Sequence, residues 1–241
     1  MRLLVTRPRE DAEVLAALLL ERGVEAVMEP LISVKDVDGP GLDLAGVQAL
    51  LITSANGIRA FSRRQGDRGI AVFTVGDASA RAARGLGFEN VTSAAGDVDA
   101  LAASVEAALD PAAGALVHVA GTRVAGDLAG ALEAVGFEVR REVLYEGSAA
   151  RELSPQTREA LAAGGRAAGR LDGVVLFSPR TAAVLVSLRS DAGLSDAGRG
   201  LVAYCLSQAV ADKLKGLHWR DMVIAPEPNQ DALLETIPRK G

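Results

Sequence analysis

Short apolar runs recur along the chain, and each is followed by a stretch in which apolar residues return at helical spacing. Runs with no charge read as strands buried on both faces, so the alternation predicts parallel sheets covered by helices. Arg2 to Thr6 is a strand, and Pro8 opens a helix on Val14, Leu15, Leu18 and Leu19 that stops at Gly23, followed by a strand Val24 to Met28. The rhythm breaks between Pro30 and Pro40, where LISV runs into KDVDGPG as an extended connector. It resumes with strands Ala49 to Thr53, Ala71 to Val75, Val91 to Ser93 and Ala115 to Ala120, and with helices Gly57 to Arg64, Ala78 to Gly85, Val98 to Leu109 and Ala125 to Val135. Phe137 to Leu144 is extended and leads to Tyr145-Glu146-Gly147. A surface helix Pro155 to Ala163 and an exposed loop GGRAAGRLDG follow. Three further units close the chain, with strands Val174 to Phe177, Leu201 to Cys205 and Met222 to Ala225, and helices Thr181 to Arg189, Gln208 to Lys215 and Asp231 to Ile237.

Two stretches echo one another, LLITSANGIRAF from Leu50 and VVLFSPRTAAVLV from Val174. Further matches extend the echo. Asp99-Ala100-Leu101 corresponds to Asp231-Ala232-Leu233, and Leu15, Ala16, Leu19, Gly23 and Glu25 correspond to Leu128, Ala129, Leu132, Gly136 and Glu138. The last block therefore lacks a fourth unit, and the N-terminus supplies it. One repeat is cut open: residues 1–34 plus 147–241 form an outer α/β domain, and residues 38–143 form a second, inserted one. The chain then crosses twice, through strands at 31–37 and 141–147, and such a pair serves as a hinge.

With 241 residues, 49% of them hydrophobic, the chain can bury two cores of Ala, Leu and Val. No apolar stretch is long enough to span a bilayer, and MRLLVTRPRED lacks the apolar segment of a signal peptide, so a soluble, cytoplasmic protein is expected. The single Cys205 sits among Val202, Ala203, Tyr204 and Leu206 and reads as a buried thiol rather than a nucleophile. A formal charge of −5 and the lack of a basic stripe with interleaved aromatics argue against nucleic acid. Small molecules are the expected partners.

In open parallel sheets ligands sit beyond the carboxyl ends of the strands. In the inserted domain those turns carry Thr53, Ser54, Ala55 and Asn56, then Gly76, Asp77 and Ser79, then Gly121, Thr122 and Arg123. In the outer domain they carry Thr6 and Arg7, Ser178 and Arg180, Ser207 and Gln208, with Glu227 and Asn229 on the last. Glycines and small hydroxyl residues at helix starts leave N–H groups for carboxylates or phosphates. Taken singly, Ser54, Ser79, Ser178 and Asp77 are more simply read as helix caps, and Arg7, Arg123 and Arg180 equally well as solvated charges. The repetition of the pattern in both domains favours an anion receptor. Neither a G-x-G-x-x-G nor a G-x-x-x-x-G-K-[ST] pattern is present, nor metal-ligand spacing, nor a G-x-S-x-G elbow. His118, within LVHVA, and His218, beside Trp219, read as structural. An enzyme of this composition would act mainly by orientation and charge. Tyr145, at the return crossing, is either a proton donor or a half-buried anchor.

The ordered set LLVTRPRED, ITSANGIRAF, FTVGDASARAA, VRREVLYEG, LFSPRTA, YCLSQAVADKL and DALLETI resembles the uroporphyrinogen-III synthase family along essentially the whole chain. The resemblance implies two flavodoxin-like domains joined by a two-stranded ladder. It also implies cyclisation of hydroxymethylbilane to uroporphyrinogen III, with loss of water and inversion of ring D, in tetrapyrrole synthesis and without metal or organic cofactor. The eight carboxylates of that substrate would give the anion-receptor turns a purpose. By position, Tyr145 matches the family's cleft tyrosine, Ser54 and Ser178 its serines after the first strands, and Ser79 the hydroxyl residue of its VG-x-A-[TS]-A turn. One turn departs: Ala209 and Val210 stand where hydroxyl residues are usual, which leaves backbone N–H groups from Ser207 onward. A monomer, in transient contact with the enzyme supplying its substrate, is expected. The competing reading is a non-catalytic two-domain receptor for a small anion.

Overall fold

The computed structural model describes residues 1–123, 126–163 and 169–239. Its strands form two sheets. The five-stranded sheet contains β1 (Arg2–Val5), β2 (Glu25–Met28), β9 (Gly173–Leu176), β10 (Val202–Cys205) and β11 (Asp221–Ile224), all parallel, in the order β11-β10-β9-β1-β2. The six-stranded sheet contains β3 (Ile32–Asp36), β4 (Val47–Ile52), β5 (Ala71–Thr74), β6 (Val91–Ser93), β7 (Ala115–Gly121) and β8 (Val139–Ala149), in the order β3-β8-β7-β4-β5-β6. Its strands from β4 to β8 pair in parallel. Contacts divide the chain into two compact units, Met1–Ser33 with Ser148–Gly241 (the outer unit) and Val34–Gly147 (the inserted unit).

Each sheet is covered on both faces. In the outer unit α7 (Pro179–Asp191), α8 (Gln208–Asp212) and α6 (Pro155–Ala162) cover one face through Leu185, Val210 and Leu161, packed against Leu4, Leu176 and Ala203. On the other face α1 (Arg9–Leu20) and α9 (Gln230–Glu235) pack Leu15, Leu19 and Leu233 against Leu3, Val5 and Val175. In the inserted unit α2 (Ala55–Arg64) and α3 (Asp77–Gly85) bury Ile58, Phe61 and Ala83 against Leu50, Ile52 and Val117. There α4 (Val98–Ala108) and α5 (Leu128–Glu133) bury Leu101, Leu128 and Leu132 against Ala49, Leu51 and Leu116. The leucines that echo one another in the sequence, Leu15 and Leu19 with Leu128 and Leu132, and Leu101 with Leu233, are thus core residues of equivalent helices, which is why hydrophobic periodicity keeps them alike.

Counted from the first strand of each block, β6-β5-β4-β7-β8 and β11-β10-β9-β1-β2 have the same order, with the N-terminal β1 and β2 completing the outer sheet. Counted along the chain, only the outer sheet has the flavodoxin order 2-1-3-4-5, while the inserted sheet reads 3-2-1-4-5 before β3 is added, so the flavodoxin-like expectation describes one sheet of the two. β8 is longer than expected and carries Tyr145 to Gly147 as strand. It is held by β7 on one side and β3 on the other, where Val37 N–H donates to Leu144 O (2.9 Å) and Ala150 N–H to Leu31 O (2.9 Å). α5 starts at Leu128, where the Asp127 side chain accepts from Gly130 N–H; the expected start at Ala125 lies outside the described residues. So does part of the GGRAAGRLDG loop. The helix expected at the surface, α6, buries Thr157 and Leu161. A 3-10 turn at Ser195–Gly198 was not legible from the pattern.

Candidate functional site

The switch point of an open sheet is where strand order reverses, and ligands sit in the crevice there, outside the carboxyl ends. In the inserted unit it lies between β4 and β7, and in the outer unit between β9 and β1. The two crevices differ.

In the inserted unit the turn after β4 begins α2. Ser54 caps the helix, its Oγ accepting from Asn56 N–H (3.2 Å), and Gly57 N–H donates to Ser54 O (2.9 Å). Asn56 Oδ1 accepts from Arg59 (3.4 Å), and Ala55 is buried. β7 ends on Gly121, with Thr122 and Arg123 exposed beyond it. Pairing of β7 with β8 shifts register between Ala120 and Gly121, which sets Gly121 opposite Tyr145. Thr122 N–H then donates to Tyr145 O (3.1 Å). The phenol ring lies directly over Gly121: a methyl there would stand 2.7 Å from Tyr145 Cε2, 2.9 Å from Cζ and 3.2 Å from the hydroxyl. A methyl on Gly57 would meet Val119 O at 3.0 Å and Tyr145 Cε1 at 3.7 Å. Two glycines thus form the bed of a half-buried tyrosine beside the first turn of α2. Arg141 donates to Gly121 O (3.1 Å) from below the same corner. His118, one layer deeper, is 3% exposed and sits 3.5 Å from Thr53 Oγ1. Burial first, and the Arg141 charge second, hold its pKa below the ordinary histidine value.

The outer crevice is plugged. Thr6 is fully buried, and its hydroxyl donates to Val175 O (3.1 Å), so it offers a ligand no side-chain group. Arg7 lies over the Phe177 ring at 4.3 Å, donates to Gln230 Oε1 (2.8 Å) and pairs with Asp11 (3.1 Å). Its charge is answered within the protein. Ser178 caps α7 by accepting from Thr181 N–H (3.1 Å), and its Oγ also meets Thr181 Oγ1 (2.8 Å). Arg180 is exposed on the first turn of that helix.

The second turn of each unit is arranged otherwise. α3 starts on Gly76 and α8 on Ser207, neither with a side-chain cap hydrogen bond. Open space surrounds Gly76, and Ser79 is buried. Gln208 is tied to Asp212 (3.0 Å), and Val210 is buried, leaving exposed Ala209 on the turn. Sequence reasoning missed one further group, Glu29, which follows β2 and is 6% exposed. Its carboxylate accepts from Ser154 N–H (2.9 Å), Ser154 Oγ and Thr157 Oγ1, fixing the start of α6. An acid between an apolar strand and Pro30 was the available signal. Among the described residues no three His, Cys, Asp or Glu side chains converge as metal ligands would, and no helix is long and apolar enough to cross a membrane.

These features define a protein with two doubly wound parallel α/β units, with a tyrosine-bearing crevice at the switch point of the inserted unit. Residues 13–235 match the family model described as Uroporphyrinogen-III synthase HemD. The chain belongs to that family and is an enzyme of uroporphyrinogen III synthesis in tetrapyrrole biosynthesis. Its fold is similar to uroporphyrinogen-III synthetase from Helicobacter pylori, with a TM-score of 0.62 at 14% identity over 98% of each chain. It is also similar to a mutant uroporphyrinogen III synthase from Thermus thermophilus, with a TM-score of 0.55 at 16% identity over 98% of this chain and 96% of that one. Comparison with curated protein sequences finds no match.

Proposed function

We propose that the protein cyclises hydroxymethylbilane with Tyr145 assisting departure of the hydroxyl, while turns of both units hold the substrate's carboxylates. The phenol gives its proton to the leaving hydroxyl as the C–O bond breaks and water departs, leaving an electrophilic azafulvenium cation and a phenolate, which regains its proton from ring D when the final closure restores the pyrrole. Ring D attacks through its substituted position, and the resulting spiro intermediate fragments and recloses with ring D inverted. The protein's contribution is to hold ring D for that closure against spontaneous simple cyclisation. Carboxylates are received by backbone N–H groups at Gly76 to Ala78 and from Ser207 through Gln208, with Ser54, Ala55, Asn56, Ser79, Ser178, Thr122, Arg123 and Arg180 along the same rims. Thr6 and Arg7 shape the outer rim from within.

The single observation that carries this reading is the Tyr145 ring seated on Gly121 beside the first turn of α2. Pairing of β3 with β8, with the unit boundary falling inside both strands, supports a two-stranded hinge. The protein acts as a cytoplasmic monomer that takes its short-lived substrate from the enzyme producing it. Membership of the family disfavours the alternative, a non-catalytic anion receptor. The test is to incubate the pure protein with fresh hydroxymethylbilane and separate the product isomers. Isomer I alone, at the uncatalysed rate, would sink the proposal.

A further inference from the structure

The amino end of the outer sheet carries a second constellation, remote from every turn described above. A cavity of about 490 Å³ there is lined by Arg170, Asp172, Tyr204, Arg220, Pro238 and Arg239. Asp172 immediately precedes β9 and Arg220 immediately precedes β11, whereas Ser178 and Ser207 follow β9 and β10. A strand of four residues separates the two ends, roughly 13 Å.

Within this cavity Asp172 is the one acid among the lining residues and is already engaged. Its Oδ2 accepts from Arg2 N–H (2.8 Å), and its Oδ1 pairs with Arg170 (3.2 Å). Asp221, next to Arg220, accepts from Met222 N–H (2.8 Å). The guanidinium groups of Arg220 and Arg239 have neither ion pair nor hydrogen bond among the described residues. Tyr204 is 3% exposed, its ring packed over Gly173, where a methyl would stand 3.1 Å from Cε2. Its hydroxyl lacks a hydrogen-bond partner among the described residues. The hydroxyl oxygen is not sealed within the protein: it opens into the cavity that Tyr204 lines. Solvated surface arginines explain Arg220 and Arg239 separately. They do not explain why both border the one cavity into which the Tyr204 hydroxyl opens, while the cavity's acid is already engaged by Arg2 and Arg170.

We infer that this cavity is a binding site for a small dianion of the phosphate type, held by the Arg220 and Arg239 guanidinium groups with the Tyr204 hydroxyl donating to it. Arginine suits this task because its planar fork of donors matches phosphate oxygens. The Tyr204 ring and Pro238 supply an apolar wall, so phosphate esters with a flat organic part fit as well as inorganic phosphate. The site stands apart from the catalytic proposal.

Isothermal titration of the full chain with inorganic phosphate, at constant ionic strength, tests this. Wild type should bind, Arg220→Ala/Arg239→Ala should weaken binding at least tenfold, and Tyr204→Phe should weaken it severalfold. Turnover of hydroxymethylbilane should stay unchanged in all of them. Arg220 and Arg239 are both exposed, and circular dichroism checks that the double variant is folded. Arg220→Ala alone, or Tyr204→Phe, carries the comparison if it is not. Equal phosphate affinity in wild type and variants would place the anion elsewhere and overturn the assignment. So would a wild type that binds no phosphate.

Discussion

Replacing Gly121 by alanine should disable the enzyme without unfolding it. Its φ lies outside the left-handed region, so the backbone accepts a side chain. The new methyl would stand 2.7 Å from Tyr145 Cε2 and 2.9 Å from Cζ. Carbon atoms rest at about 3.5–4.0 Å, so the ring must retreat by roughly 1 Å. Tyr145 is half-buried and can swing outward, so the clash costs about 1–3 kcal/mol, offset by the ~0.4–1 kcal/mol gained from restricting the unfolded chain. Catalysis is less forgiving, because a misplacement of about 1 Å can cost ~100-fold. A fall in kcat/KM of about 10- to 100-fold is expected, by the order-of-magnitude rule for misplaced groups, with product shifting towards isomer I. The assay is isomer separation after timed incubation with hydroxymethylbilane. In a Tyr145→Ala background no ring remains to displace, so adding Gly121→Ala should cost nothing further. The reasoning is refuted if Gly121→Ala alone keeps wild-type turnover and isomer ratio, or if its penalty is undiminished in that background.

Tyr145→Phe should lower kcat by about 10²-fold or more, the range for losing a positioned proton donor. Ser54→Ala and Ser178→Ala, each losing a cap, should cost about 0.5–2 kcal/mol of stability in urea titrations and far less turnover. His118 has its pKa lowered by burial, so the folded state resists protonation. Its contribution to stability is complete above the unfolded value near pH 6.5 and is lost as pH falls from there towards the depressed folded value. Urea midpoints at pH 7.5 and 5.5 should therefore differ less in His118→Gln than in wild type. The Cys205 thiol, fully buried with its pKa pushed up to about 11, should react with Ellman's reagent at pH 8 only after denaturant is added. Arg189 is wholly buried under Trp219 at 4.7 Å and donates to the Leu194 and Ser195 carbonyls. Arg189→Lys cannot span both and should cost about 1.5–3 kcal/mol, with a shift in the emission of the single tryptophan.

What the sequence made legible was what periodic burial writes into it. Leu15 and Leu19 match Leu128 and Leu132, and Leu101 matches Leu233, because each pair lies on the buried stripe of equivalent helices. The expectation of a cut repeat rests on those matches. The site was legible only as positions on turns. Nothing periodic links Gly121 to Tyr145, since the fit depends on a register shift between two strands. Arg7 looked like a free rim charge, yet its (i, i+4) spacing to Asp11 across the start of a helix was a signal of pairing. Phe177 and Gln230, which complete that plug, come from the far end of the chain.

The same comparison of repeats reassigns the serines. In both units the first turn is satisfied internally: Ser54 caps α2 and Ser178 caps α7. In both units the second turn is not, since α3 starts on Gly76 and α8 on Ser207 without a side-chain cap. A capping hydroxyl competes with an anion for the same N–H groups, so a turn can be well capped or a good receptor, but seldom both. The division recurs although the residues differ, glycine in one unit and serine in the other. On the proposed reaction, the carboxylate grip is then expected at the second turns, through backbone rather than side chain, with Ala209 costing the outer turn little by replacing a hydroxyl residue. The first turns keep the helices in place beside the switch points. In the inserted unit that leaves the crevice to Tyr145, while in the outer unit Arg7 fills it.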